Sequence, residues 1–215
     1  MVILKLYGAG YTSCTRRVAT VLHELKVPFE LIEIDVKKGE QKTPAYLEKQ
    51  PFGKIPYIAD DGFILYESRA ICRYIAAKHP AAGFIPSEPK AHAICEQMTS
   101  AEFASFEPLV ALILRETFFK PMMLGTTADL TVVEEPLAIL ENLAAYDVIL
   151  GKQRYLAGDV LTLADLFHLP HVPYLAAGGS DIMTRKPNVA RWYNELIARP
   201  YFLVYEGGVK TTTAY

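Results

Sequence analysis

Two adjacent hydroxyls, Thr12 and Ser13, sit in the run Tyr11-Thr12-Ser13-Cys14-Thr15-Arg16-Arg17, where a strand pattern gives way to a helix pattern. A hydroxyl at such a junction is by default a helix N-cap. It can equally donate a hydrogen bond to a thiolate. A free thiol has a pKa of about 8.5, and lowering it by about 2 units takes roughly 2.7 kcal/mol. One hydrogen bond to a charged group supplies about 1.5–3 kcal/mol, and the adjacent helix N-terminus adds more. A second pair, Glu67-Ser68, opens a helix directly after a strand. It is either a plain capped helix start or an anion site, in which free N–H groups and the Ser68 hydroxyl hold a carboxylate. In the second case Glu67 pairs with an ammonium group, and together the two suit the zwitterionic end of a γ-glutamyl group.

Ile55-Pro56 has two readings as well. It marks an edge strand, or a cis-proline that turns a backbone N–H and C=O outward to pair with an extended peptide. Lys42 and Lys54 flank the same loop, with Lys37, Lys38 and Lys49 nearby. They are solvated surface lysines, or they build a positive field for a second carboxylate. His168 and His171 have metal-ligand spacing, but Pro170 lies between them and no acid or cysteine cluster supports them, so no metal site is expected. Cys14, Cys72 and Cys95 are odd in number and widely spaced, which suggests reduced thiols rather than a disulfide framework.

These residues need a scaffold, and the hydrophobic pattern supplies one. Residues 2–7 read as a strand, and from Ser13 a helix carries Val18, Val21, Leu22 and Leu25 on one face until Pro28. Residues 29–34 alternate as a second strand. Residues 37–50 suggest a loop with a short helix. Residues 55–59 and 63–66 form two strands around the hairpin signal Asp61-Gly62. A helix with Ile71, Tyr74, Ile75 and Lys78 follows. The order strand, helix, strand, helix, strand, strand, helix implies a mixed four-stranded sheet with packed helices.

Residues 81–89, rich in proline and glycine, separate this first domain (1–80) from a second (90–215) in which strand signals nearly vanish. There the pattern predicts a long helix over 90–119, kinked at Pro108 and bounded by Pro121. A helix over 137–150 aligns Ile139, Leu143, Tyr146 and Leu150. Thr162 and Asp165 form a capping box with Leu161 and Leu166 as its staple. A last amphipathic helix surrounds Trp192, and the tail after Tyr201 has no periodicity. The fold class is therefore α/β plus all-α.

Composition narrows the function. A net charge of -2 argues against a general nucleic-acid binder and gives no polybasic membrane patch. No apolar run approaches the roughly 20 residues of a membrane span, and the N-terminus lacks the layout of a signal peptide. A cytoplasmic location is the expectation.

The motifs together resemble those of the soluble glutathione transferases, most closely the phi class of plants and fungi. The resemblance rests on TRRV (15–18), KKGEQK (37–42), QPFGKIP (50–56) and LYESRAICRYI (65–75) in the first domain. In the second it rests on YLAGDVLTLADLFHLP (155–170) and KPNVARWYNELIARP (186–200). It implies a thioredoxin-like first domain, an all-helical second domain, a homodimer, and glutathione as co-substrate without a metal. The implied activity is detoxifying conjugation of glutathione to a hydrophobic electrophile, with reduction of organic peroxides as a side activity. A ligandin-type carrier of apolar molecules is the alternative. By the resemblance, Glu67 and Ser68 hold the γ-glutamyl group, Ile55 before cis-Pro56 pairs with the cysteinyl backbone, and Gln41, Lys42 and Lys54 reach the glycyl carboxylate. Phe52 inserts into a partner subunit. Tyr11, Phe118 and Phe119 line the electrophile pocket. The family usually carries glutamine at the position of Lys54 and often histidine at that of Gln41. Its catalytic serine stands four residues after the glycine ending the first strand, a register that falls on Thr12, with Ser13 the alternative if the loop shifts by one.

Overall fold

A computed structural model of the chain describes residues 3–141, 144–172, 175, 180–201 and 207–215. Strand β1 (Leu4–Gly8) buries Leu4, Leu6 and Gly8 and exposes Lys5, as its alternation requires. Helix α1 (Ser13–Glu24) buries Val18, Val21 and Leu22. The chain leaves it through Lys26, whose positive φ of 52° precedes Pro28 and makes a sharp exit. Strand β2 (Phe29–Glu33) returns parallel to β1, with Leu4 opposite Phe29 and Gly8 opposite Glu33. A 3-10 turn (Glu40–Lys42) and the short helix α2 (Pro44–Leu47) follow. Strand β3 (Tyr57–Asp60) runs antiparallel to β1, and β4 (Phe63–Tyr66) to β3. The hairpin between them has positive φ at both Asp61 (48°) and Gly62 (85°), the backbone that its two-residue turn needs. The sheet order is β2-β1-β3-β4, the expected mixed four-stranded sheet. Helix α3 (Ser68–Lys78) packs on α1 and against β3 and β4 through Ile71, Cys72 and Ile75.

A tyrosine cluster supports the loop that carries Ile55. Tyr7 and Tyr57 stack at 4.4 Å, and Tyr46 meets Tyr57 edge-on at 5.1 Å. The Tyr46 hydroxyl donates to the Lys54 carbonyl at 2.8 Å. Burial raises the Tyr46 pKa, so it stays a donor.

The chain divides into two compact units, Met1–Ala82 with Arg199–Tyr215, and Gly83–Ala198. The C-terminal residues expected in the second domain thus belong to the first unit. Thr212 and Phe29 exchange both backbone hydrogen bonds, at 2.8 and 3.0 Å, and Arg199 forms two 2.6 Å bonds with Glu24. Backbone pairing of this kind leaves no side-chain period in the sequence.

The second unit is helical. Helix α4 (Pro89–Ala101) is capped by the Glu88 carboxylate, which accepts from the Ala91 N–H at 2.7 Å. The helical path then continues past the expected end at Phe119. A π-helical turn (Glu102–Phe106) leads into α5 (Glu107–Leu114), and a second (Arg115–Phe119) into α6 (Lys120–Leu124). In each, an N–H reaches back five residues, Glu107 to Glu102 and Lys120 to Arg115, immediately ahead of a proline. A proline in a regular helix lacks its N–H and clashes with the carbonyl four residues back. The wider turn shifts that carbonyl's register, so Pro108 and Pro121 are absorbed rather than terminating the helix. Gly125, at a φ of 65°, ends α6 instead.

Helix α7 (Thr131–Glu141) and helix α8 (Ala144–Leu150) cover the described residues of the helix expected over 137–150, and α7 begins six residues earlier than expected. Leu143 of the expected stripe and Val2 of the first strand lie outside the described residues. Leu150 is buried, but Ile139 is half exposed, and Val133 and Leu140 take the inward positions of α7. The one-turn helix α9 (Leu163–Leu166) carries the expected capping box. Helix α10 (Pro187–Ile197) buries Val189, Trp192 and Leu196. Both histidines are used internally. His168 Nδ1–H donates to the Ala164 carbonyl at 2.8 Å while its Nε2 accepts from the Tyr146 hydroxyl at 3.1 Å. His171 Nε2 lies 2.6 Å from Glu107. Among the described residues no group of histidine, cysteine and acidic side chains could hold a metal ion.

Candidate functional site

Two helix N-termini in the first unit, those of α1 and α3, are joined by one buried cation. Arg17 is completely buried, and its Nη1 donates to Ser68 Oγ at 3.0 Å while lying 3.8 Å from the Cys14 sulfur. Ser68, the first residue of α3, therefore uses an oxygen lone pair internally. Its own hydrogen has no acceptor among the described residues and can point at a ligand. Arg17 sits inside the TRRV run, but nothing in sequence spacing distinguishes it from a surface arginine.

Glu67 caps α3 in a conformation non-glycine residues rarely take, φ 70° and ψ 108°. Such backbone costs about 1–3 kcal/mol and persists where the surroundings enforce it. Its carboxylate is exposed and meets no hydrogen-bond partner among the described residues. Carboxylate, hydroxyl and helix N-terminus thus stand within two consecutive residues, with the charges that a zwitterion requires.

The Ile55-Pro56 peptide bond is cis. The sheet ladder begins only at Tyr57, paired with Tyr66, so the Ile55 amide and carbonyl lie outside it. Among the described residues no other backbone group bonds to them. Gly8, at the end of β1, explains how this segment closes on the site. A Cβ there would fall 2.5 Å from Thr15 Oγ1 and 3.2 Å from Pro56 Cβ, so only glycine lets β1, α1 and Pro56 meet.

The hydroxyls of the first loop differ sharply. Thr12 Oγ1 donates to the Ala9 carbonyl at 3.0 Å and contacts Thr15 Oγ1 at 2.9 Å, and Thr15 is fully buried. The Thr12 hydroxyl is thereby turned into the loop. Ser13, the first residue of α1, is half-buried, and its hydroxyl has no partner among the described residues.

The remaining expected contact residues are divided between the two units. Lys42 Nζ donates to the Phe52 carbonyl at 3.3 Å and lies over Gly53, whose φ is 58°. Gln41 Nε2 donates to the Val36 carbonyl at 3.4 Å, and its buried Oε1 has no partner among the described residues. Lys54 is exposed and Phe52 is 62% exposed. Tyr11 is half-buried, and burial, with the charges of Glu33 and Asp35, raises its pKa. Phe118 and Phe119 belong to the second π turn of the helical unit, half-buried and edge-to-face at 5.3 Å.

Comparisons with known proteins agree with this architecture. Residues 2–77 match the model of the glutathione S-transferase N-terminal domain, and residues 110–200 that of the C-terminal domain. Glutathione S-transferase PM239X14 of Arabidopsis thaliana is 40% identical over 198 residues, covering 90% of this chain and 91% of that protein. The crystal structure of glutathione transferase F7 from Populus trichocarpa superposes with a TM-score of 0.90 at 37% identity, covering 96% of this chain and 99% of the other. Glutathione S-transferase I from maize, solved in complex with an atrazine glutathione conjugate, superposes at 0.88 with 32% identity, covering 96% and 97%. With both domain models matched in order along a thioredoxin-like sheet and a helical unit, the chain belongs to the glutathione S-transferase family, among relatives of the plant phi class.

Proposed function

We propose that the chain conjugates glutathione to hydrophobic electrophiles and that Ser13, rather than Thr12, activates the thiol. The observation that carries this choice is the hydrogen bonding of the two hydroxyls. Thr12 spends its hydrogen on the Ala9 carbonyl, whereas Ser13 stands at the N-terminus of α1 with its hydroxyl uncommitted. A donor that must first break an internal bond returns little net energy to a thiolate. Glutathione then lies with its γ-glutamyl end on Glu67 and Ser68, its cysteinyl backbone paired with Ile55 beside Pro56, and its glycyl carboxylate toward Gln41, Lys42 and Lys54. The Ser13 O–H and the α1 N-terminus stabilise the thiolate, which attacks the electrophile directly. Tyr11 is the contact assigned to that electrophile from the first unit. The atrazine conjugate held by the maize relative is a product of the same chemical class. The same thiolate would serve peroxide reduction. The exposed Phe52 ring suits an anchor in a second copy of the chain.

The test is conjugation of a chloronitrobenzene by the wild type, Thr12→Ala, Ser13→Ala and the double variant. Ser13→Ala is expected to lower kcat by about 10- to 100-fold, the equivalent of one charged hydrogen bond, while Thr12→Ala retains most turnover. Loss of turnover in Thr12→Ala alone would reverse the assignment. A wild type that binds apolar dyes tightly yet turns over no electrophile would make the chain a carrier.

A further inference from the structure

Residues 207–215 form no helix, yet they are fastened to the first unit at several points. Thr212 is paired with Phe29 on β2, the edge strand of the sheet. Thr211 Oγ1 accepts from the Leu31 N–H at 2.9 Å. The Tyr215 hydroxyl meets His23 Nδ1 at 2.8 Å, its ring edge-on to the imidazole at 5.8 Å. Val209, which is buried, donates its N–H to the Gly10 carbonyl at 3.1 Å. One segment thus grips α1 at both ends, in the loop before its first residue and at His23 in its last turn.

The contact at Gly10 is the consequential one, because Gly10 precedes Ser13 by three residues. Its N–H donates to both Glu33 carboxylate oxygens at 3.2 and 3.3 Å, and its carbonyl accepts from Arg16 Nε at 3.3 Å as well as from Val209. A Cβ at this position would lie 2.9 Å from the Val209 carbonyl oxygen. Gly10 is therefore clamped on one side by β2 and α1 and on the other by the C-terminal segment. The peptide planes leading to Ser13 inherit that constraint.

We infer that residues 207–215 act as a strap that aims the activating hydroxyl, with Val209 as its positioning residue. This rests on the assignment of Ser13 above. An edge strand also needs covering against unwanted pairing, and a segment that only covered β2 would affect stability without touching the thiol. A hydrogen bond loses strength steeply when its angle departs from linearity, so loosening the loop weakens thiolate stabilisation. Glutathione affinity, set by Glu67, Ser68 and Ile55, stays as it was.

The test uses full-length Val209→Pro, which deletes the N–H donated to Gly10, and Thr212→Pro, which unzips the strap away from the loop. Val209→Ala keeps the N–H. Each variant is read by the pH dependence of thiolate ultraviolet absorbance in its glutathione complex, by kcat and glutathione KM, and by amide exchange at residues 10–13. Expected in either proline variant are faster exchange, a bound-thiol pKa raised by about 1 unit and a correspondingly lower kcat at acidic pH, with KM within about twofold. Val209→Ala should match the wild type. If a proline variant loosens the loop by exchange while its thiol pKa stays put, and Ser13→Ala does raise that pKa, the strap is only an edge cover and the inference is wrong. If Ser13→Ala itself leaves the pKa unchanged, the assignment of Ser13 fails, and the strap's aiming role with it. Misfolding of Val209→Pro leaves Thr212→Pro to decide.

Discussion

Asp165 is expected to be among the most costly single positions in the chain, and its surroundings set the size of the loss. One carboxylate oxygen accepts from the Leu156 N–H and the Trp192 indole N–H, both at 2.9 Å. The other accepts from the Thr162 N–H at 3.0 Å and the Thr162 hydroxyl at 3.2 Å. Asp165 itself is fully buried and Trp192 is 1% exposed. Asp165→Ala leaves three buried N–H groups without acceptors, each worth about 1–3 kcal/mol, and removes half of a capping box worth about 1 kcal/mol. Partial relaxation and entering water keep such losses below their sum, so the expected cost is about 3–5 kcal/mol. Asp165→Asn can still accept from Leu156 and Trp192, but its NH2 then faces the Thr162 N–H, donor against donor. It should cost about 2–3 kcal/mol. Trp192 is the only tryptophan, so its fluorescence during urea unfolding reports on this site directly. With an m value of about 2 kcal/mol/M, Asp165→Ala should lower the midpoint by about 2 M. A shift below about 0.5 M would show that the four bonds do not hold α9 to α10 and the 156 loop, and the reasoning would be refuted.

Three further outcomes follow from other contacts. Alkylation near neutral pH should label Cys14, which is half-buried, and spare Cys72 and Cys95, since burial pushes the Cys72 thiol up to about 12 and raises that of Cys95. Mass spectrometry of the tryptic peptides checks this. Gly53→Ala should raise the KM for glutathione several-fold with little change in kcat, because the new Cβ would fall 2.7 Å from Lys42 Nζ and 3.0 Å from the Gln41 carbonyl, at a backbone φ of 58°. Steady-state kinetics with varied glutathione is the measurement. Asp60 accepts from Lys78 and, at 2.7 Å, from the Tyr74 hydroxyl, and the Lys78 bond comes first in holding its pKa below the ordinary value of 3.8. Because the folded pKa is the lower one, its contribution is present above about pH 4 and fades as pH falls through the folded value. Asp60→Asn should therefore cost up to about 1 kcal/mol at pH 7 and nearly nothing at pH 2, as measured by denaturation at the two pH values.

Much of the first unit was legible in the residues because its elements are local. Alternation wrote β1 and β2, the Asp61-Gly62 pair wrote the hairpin, and the apolar face of α1 was spaced at a helical period. Glu67-Ser68 and Ile55-Pro56 could be singled out because each proposed site group is carried by neighbours in sequence. Helix limits were less so. Pro108 looks like a kink and Pro121 like a stop in a one-dimensional reading, and only a five-residue hydrogen bond ahead of each lets the helix pass.

What the sequence determined by itself is the element order, the capping box at Thr162 and Asp165, and the pairing of an acid and a hydroxyl at the start of α3. All of these depend on side chains within a few positions of one another. What the tertiary structure decided depends on distant partners. Arg17 reaches Ser68 across 51 positions, Gly8 admits Thr15 and Pro56, and Val209 closes on Gly10. The proposal of Ser13 over Thr12 also rests on the structure, although on a local bond rather than a distant one. Both are hydroxyls at one junction, and only the inward bond from Thr12 to Ala9 tells them apart.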